Sequence, residues 1–212
     1  MRRSVLFHRL AALPVVACLL LAASVTAQPA TIQLPKPQVT AGMPLMEALA
    51  KRQTTRAFAD KPLPPQMLSN LLWAAFGVNR PRETKAGLGR TAPSARNKQE
   101  VEIYVVLADG VYVYEAEQNR LSPVVSGDLR GKVGTEAAVH AAVTLVYVAD
   151  ATLDYAQVDT GFIGQNVYLF AASEGLNSWF YAIHTPDVSG ALKLSASHKP
   201  LYAQSVGFPP SK

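Results

Sequence analysis

The densest polar cluster in the sequence is Lys51-Arg52-Gln53-Thr54-Thr55-Arg56-Ala57-Phe58. Arg52 and Arg56 are four residues apart, the spacing that places two side chains on one side of a helical turn. Two guanidinium forks with the Thr54 hydroxyl between them suit a phosphate, because each fork offers paired donors in one plane. A solvated charged helix end has the same composition, so this cluster alone leaves both readings open. A second stretch, Thr91-Ala92-Pro93-Ser94-Ala95-Arg96-Asn97-Lys98-Gln99, runs into an apolar strand. Its small residues let a flat ring approach the backbone, and Asn97 and Gln99 supply amide donors and acceptors. A third, Gly175-Leu176-Asn177-Ser178-Trp179-Phe180-Tyr181-Ala182-Ile183-His184-Thr185, reads as a helix end, a strand and a tight exit.

The elements that must hold these stretches follow from hydrophobic periodicity. Pro44 to Lys51 predicts a short helix with proline at its start. Gln66 to Phe76 predicts a second, with Met67, Leu68, Leu71, Leu72 and Ala75 at helical spacing and Gly77 as its stop. Asn79 to Arg96 reads as a long basic loop. Val101 to Leu107 and Val111 to Glu115 alternate as strands around Asp109-Gly110, a pair that supplies positive φ for a tight hairpin. Ala141 to Ala149 is continuously apolar, which predicts a strand buried on both faces. Asp159 to Leu176 predicts a mostly apolar helix, Ser178 to Ile183 a strand, Pro186 to Leu194 a short helix and Leu201 to Phe208 a last strand. Hairpins mixed with helices indicate an α+β fold.

Composition excludes several chemistries. The chain has 212 residues, 49% apolar and 17% charged, enough for one packed domain. Its formal charge of +5 owes much to Arg2, Arg3 and Arg9 in an acid-free leader, so it lacks the basic excess of a nucleic-acid binder. The one cysteine, Cys18, lies in that leader, which removes thiol catalysis and Cys-ligated metals from the remainder. There is no G-x-G-x-x-G after a strand, no Walker loop, no G-x-S-x-G elbow and no H-E-x-x-H.

Residues 1–27 read as an export signal: a positive start, an apolar run from Leu10 to Val25, and Val25-Thr26-Ala27 before the cut. The run is short for a span and contains Pro14, so the mature form is expected without a stable membrane anchor and in the periplasm. Arg2-Arg3 resembles a twin-arginine signal and equally fits a general secretory one. Residues 28–43 are expected as a proline-rich linker, and residues 44–212 as the functional domain.

Taken in order, the three polar stretches resemble the nitroreductase family of FMN-dependent oxidoreductases. Arg52, Gln53, Thr54, Arg56 and Phe58 match its opening motif, and Pro93, Ser94, Asn97 and Gln99 its second. Gln165-Asn166 with Gly175-Leu176 match its core helix, and Val206-Gly207-Phe208-Pro209 its closing strand. Leu71-Leu72-Trp73-Ala74-Ala75 is similar to the subgroup with peptide thiazoline and oxazoline dehydrogenases. The resemblance implies a mainly antiparallel sheet flanked by helices, in a homodimer. It implies that Arg52 and Thr54 hold the FMN phosphate and ribityl chain, with Gln53 beside them, and that Arg56 faces the pyrimidine edge. Pro93, Ser94, Ala95, Asn97 and Gln99 would cover the cofactor from the partner chain. The backbone of Ile183, His184 and Thr185 would lie near flavin N5. Two positions depart from the family: Glu100 follows the glutamine where many members have proline, and Lys212 is the only base beyond the last strand. The expected activity is two-electron transfer in two half-reactions, to or from a small organic molecule such as a quinone or nitroaromatic. The electron donor is left open. The alternative is an exported dimeric binding protein of the same fold with little or no flavin turnover.

Overall fold

The computed structural model describes residues 29–80, 88–150, 152–183 and 185–211. The expected export signal, most of the basic loop's tip and His184 lie outside them. The chain runs β1 (Ile32–Gln33), α1 (Leu45–Lys51), α2 (Pro65–Phe76), β2 (Val78–Arg80), β3 (Gly89–Arg90), β4 (Glu102–Val106), β5 (Gly110–Glu115), β6 (Arg120–Ser126), α3 (Arg130–Val133), β7 (Val143–Asp150), α4 (Ala156–Glu174), β8 (Asn177–Ala182), α5 (Thr185–Ala191) and β9 (His198–Gly207).

The main sheet has seven strands in the order β1-β6-β5-β4-β7-β9-β8, and every neighbouring pair in it is antiparallel. β7 is an interior strand, between β4 and β9, and side chains alternate across a strand. Val143, Leu145, Tyr147 and Ala149 join the core that also takes in α2 and α4. Val146 and Val148 join the opposite core, with Val133 of α3 and Val188 of α5. The continuous apolar run from Ala141 is therefore explained by cover on both faces.

α4 begins three residues before its predicted start and ends at Gly175, whose φ of +68° makes a left-handed cap. It lies close to the sheet at Gly164, where a Cβ would come within 2.8 Å of the Phe180 ring. A buried amide fastens the same region. Gln204 of β9 accepts a bond from the Tyr147 hydroxyl at 2.7 Å and donates to the Gly164 carbonyl and the Ser178 hydroxyl.

Three sequence expectations are corrected. Residues 29–43 are extended but not a free linker: β1 pairs with β6, Leu34 is buried, and Ser69, Gln66 and Asn70 bond the backbone of residues 35–38. The basic stretch from Asn79 is not wholly loop, because β2 and β3 pair as a two-stranded ribbon. The Asp109-Gly110 turn uses no positive φ at either residue. Gly110 is there for space, since a Cβ would meet the Val125 carbonyl at 2.8 Å.

Candidate functional site

The helix carrying Lys51 stops one residue later. The Arg52 N–H closes the last bond to Ala48, and its ψ of 123° turns the chain out of the helix. Residues 52–58 then run along the free edge of β8. Thr55 N–H donates to the Ser178 carbonyl at 2.9 Å, and the Asn177 side chain donates to the Ala57 carbonyl at 2.6 Å. Phe58 is buried, and Ala59 N–H bonds the carbonyl of Phe208 beyond β9.

Arg52 and Arg56 therefore do not share a helical turn. In extended chain, residues four apart still lie on one side, but about 13 Å from each other. The pair suits the two ends of a long ligand rather than one phosphate held by both. The Arg52 guanidinium lies 5.5 Å from the Tyr168 ring centre, and that of Arg56 5.2 Å from Trp179. Among the described residues neither arginine is ion-paired, so the donor edges remain available. Thr54 Oγ1 lies 3.0 Å from the Tyr168 hydroxyl. Beside it a hollow is lined by Lys51, Gln53, Tyr168, Ala172, Gly175 and Asn177.

Trp179 and Tyr181 are half-buried neighbours on β8, their rings 4.7 Å apart. The Tyr181 hydroxyl meets Ser205 at 3.1 Å, and Ser205 meets Thr144 at 2.9 Å. Burial pushes the Tyr181 pKa up, which keeps that hydroxyl protonated. Ile183 packs against the core under α5, and Thr185 opens that helix.

The second stretch lies elsewhere. Ala95 N–H donates to the buried Asp159 carboxylate at 2.9 Å, near the start of α4. Tyr168 is nine residues further on, roughly 14 Å along the helix. Within one chain the two clusters therefore do not converge. The loop polar groups also serve the loop itself. The Ser94 hydroxyl accepts the Gln99 N–H at 3.0 Å, and the Gln99 amide accepts from Arg90 and donates to the Leu88 carbonyl. Asn97 donates to the same carbonyl at 3.3 Å. These bonds sustain left-handed backbone at Arg96, Asn97 and Gln99, with φ between 53° and 54°. Such backbone costs about 1–3 kcal/mol per non-glycine residue and clusters at ligand sites. Pro93 is exposed at the loop's entry.

Glu100 ends this loop. Both its carboxyl oxygens are buried without a hydrogen-bond partner. Burial raises its pKa and the adjacent Asp159 carboxyl raises it further, while its own backbone N–H and Lys98 lower it, for a net rise. The folded chain thus holds this proton more tightly than the unfolded one. That contribution is fully present below the ordinary glutamate range and is lost as pH rises through the raised value. Glu100→Gln is expected to raise the urea midpoint near neutral pH and leave it nearly unchanged in acid. A gain independent of pH counts against this account.

Tyr168 was not legible in the sequence as part of the site. The available signal was a tyrosine hydroxyl on a mostly apolar helix, which must find a partner.

The chain is thus an α+β protein with a seven-stranded antiparallel sheet between two helical layers and a basic, hydroxyl-bearing segment along the sheet edge. The chain belongs to the Nitroreductase family, whose model matches residues 49–208. It is 30% identical over 155 residues to a nitroreductase-family protein of Methanocaldococcus jannaschii, covering 63% of this chain and 76% of that one. A nitroreductase-family structure from Ralstonia eutropha JMP134 superposes with a TM-score of 0.78 at 34% identity, covering 86% of this chain and 90% of that one. The trifolitoxin-processing protein TfxF of Rhizobium leguminosarum is 42% identical over 67 residues, only 30% of this chain and 26% of its own length. The fold also matches the E. coli microcin synthetase McbBCD complex with truncated pro-MccB17 bound, with a TM-score of 0.63 at 21% identity over 84% of this chain and 78% of that one. Membership and these relatives support an oxidoreductase. Among the described residues no helix is long and apolar enough to cross a membrane, and no group of His, Cys, Asp and Glu could hold a metal ion.

Proposed function

We infer that the protein is an FMN-dependent oxidoreductase acting on a small organic molecule such as a quinone or nitroaromatic, in two half-reactions. The observation that carries this reading is the strap over β8. Arg52 and Arg56 rest on aromatic rings with their donor edges unpaired by carboxylates, and Thr54 lies between them. This donor set fits FMN: a doubly charged phosphate at one end and a carbonyl-rich ring at the other. When bound, the flavin supplies two-electron transfer as hydride at N5. Arg52 and Thr54 bind the phosphate end. Arg56, about 13 Å along the extended strap, places positive charge at the ring end, where reduction builds negative charge. Ser94, Asn97 and Gln99 hold a rigid loop that covers the ring of the partner's site.

A homodimer completes that arrangement. Val158 and Phe162, four residues apart on α4, are 54% and 45% exposed, and Leu45, Met46 and Leu49 of α1 are also exposed. Such a face suits a second copy of the chain, because each protomer offers the same patch. Phe162→Asp is expected to convert the dimer to a monomer by light scattering, with loss of bound flavin. Burying one phenyl ring contributes about 1.5–3 kcal/mol, and a two-fold interface holds two.

We place the mature protein in the periplasm, with residues 1–27 removed on export. NAD(P)H is scarce there, so a membrane quinol, an electron-transfer protein or the organic substrate itself is the donor. The relatives named for trifolitoxin processing and microcin synthesis support including a peptide thiazoline or oxazoline among the substrates tested. The deciding experiment is a visible spectrum of the mature domain. A yellow protein that bleaches with dithionite and reoxidises with menadione supports the enzyme. A colourless one that takes up no added FMN supports the dimeric binding protein instead.

A further inference from the structure

We propose that Tyr168 is a positioning residue for the phosphate end of the site, its hydroxyl aiming the Thr54 proton outward and its ring seating the Arg52 guanidinium. The inference rests on the FMN reading above and deepens it.

Three groups meet at this one side chain. The Phe180 N–H, on the outer edge of β8, donates to the Tyr168 hydroxyl oxygen at 2.9 Å. Thr54 Oγ1 lies 3.0 Å from that oxygen, and the Arg52 guanidinium carbon lies 5.5 Å from the ring centre. A tyrosine hydroxyl has a single proton to give. Either hydroxyl can donate in this pair; with the Phe180 N–H on one acceptor position of the oxygen, the tyrosine proton is assigned to Thr54 Oγ1. The Thr54 proton is then free to point outward, where that residue is exposed. The row runs from backbone N–H through two hydroxyls and ends in a donor, and each bond polarises the next. Reversed, Thr54 would present only lone pairs, which an anion repels. The ring acts separately. Cation–π contact holds the guanidinium near Thr54 while leaving its N–H edge exposed to a ligand. Tyr168 thus acts through Thr54 and Arg52. A phenylalanine would serve an apolar helix equally well, so the hydroxyl is the part that needs a reason.

The test is a titration of FMN and of riboflavin, which lacks the phosphate, followed by quenching of flavin fluorescence. Wild type, Tyr168→Phe and Tyr168→Leu are compared. Tyr168→Phe keeps the ring and is expected to weaken FMN binding about fivefold, leaving riboflavin within about twofold of wild type. Tyr168→Leu loses the ring as well and is expected to weaken FMN by a further factor of about two to five. If Tyr168→Phe weakens both flavins equally, the hydroxyl only pins α4 to β8 and the proposal is overturned. Unchanged FMN binding in Tyr168→Phe overturns it too. A wild type that binds neither flavin overturns the FMN reading itself, an outcome distinct from both.

Discussion

The double variant Arg52→Ala/Arg56→Ala is expected to purify colourless and to take up FMN too weakly to retain it on a column. Each lost charge-assisted bond is worth about 1.5–3 kcal/mol. Two such losses weaken binding roughly a hundredfold or more, since each 1.4 kcal/mol is tenfold. The fold is expected to survive. Arg56 is exposed, Arg52 is only half-buried, and the strap's backbone bonds from Thr55 and Ala59 do not involve either side chain. The cation–π contacts removed contribute about 0.5–1 kcal/mol each. The single variants separate the two ends. Arg52→Ala is expected to weaken FMN and spare riboflavin, because its partner is the phosphate. Arg56→Ala is expected to weaken both flavins. The measurements are absorbance at the flavin band, titration affinity and the thermal midpoint. Full flavin content in the double variant would remove the strap from the site.

The largest stability effect is expected at Gln204. Its side chain is fully buried and makes three bonds, from the Tyr147 hydroxyl and to the Gly164 carbonyl and Ser178 hydroxyl. Gln204→Leu fills most of the volume but takes the partner from the Tyr147 and Ser178 hydroxyls, while the Gly164 carbonyl keeps its helical bond. Each orphaned hydroxyl costs about 1–3 kcal/mol, so a loss of about 2–6 kcal/mol is expected. Total stabilities of single domains are about 5–15 kcal/mol, so the urea midpoint falls sharply, with little change in slope. Burial pushes the Tyr147 pKa well up, so its hydroxyl stays a donor throughout. Adding Tyr147→Phe to Gln204→Leu removes one orphaned group and is expected to recover part of the loss. Purely additive losses in the double variant would mean that the two side chains are not coupled.

Much of this architecture was legible in residue patterns, and the exceptions have physical causes. β7 announced itself because a strand covered on both faces has no polar positions. α4 did so through its length and its glycine stop. β6 gave no clear signal, because Pro123 within a strand argues against one. It is tolerated where the register shifts between Val111 and Tyr112, which leaves Val124 as the extra residue of a bulge. β1 is two residues long, too short to show a period. At the site, the four-residue spacing of Arg52 and Arg56 fits both a helical turn and an extended strand. Either conformation puts them on one side, and only the turn out of the helix at Arg52 settles the distance. Tyr168 was hidden because hydrophobic spacing cannot tell a packed ring from one chosen for its hydroxyl.

The strap along β8 has a consequence beyond ligand binding. The outer edge of that strand carries the run Trp179-Phe180-Tyr181, the kind of sequence that recruits strands from other molecules. The strap's Thr55 takes up the Ser178 carbonyl and Tyr168 takes up the Phe180 N–H, so fewer backbone groups on this edge are open to a strand from another molecule.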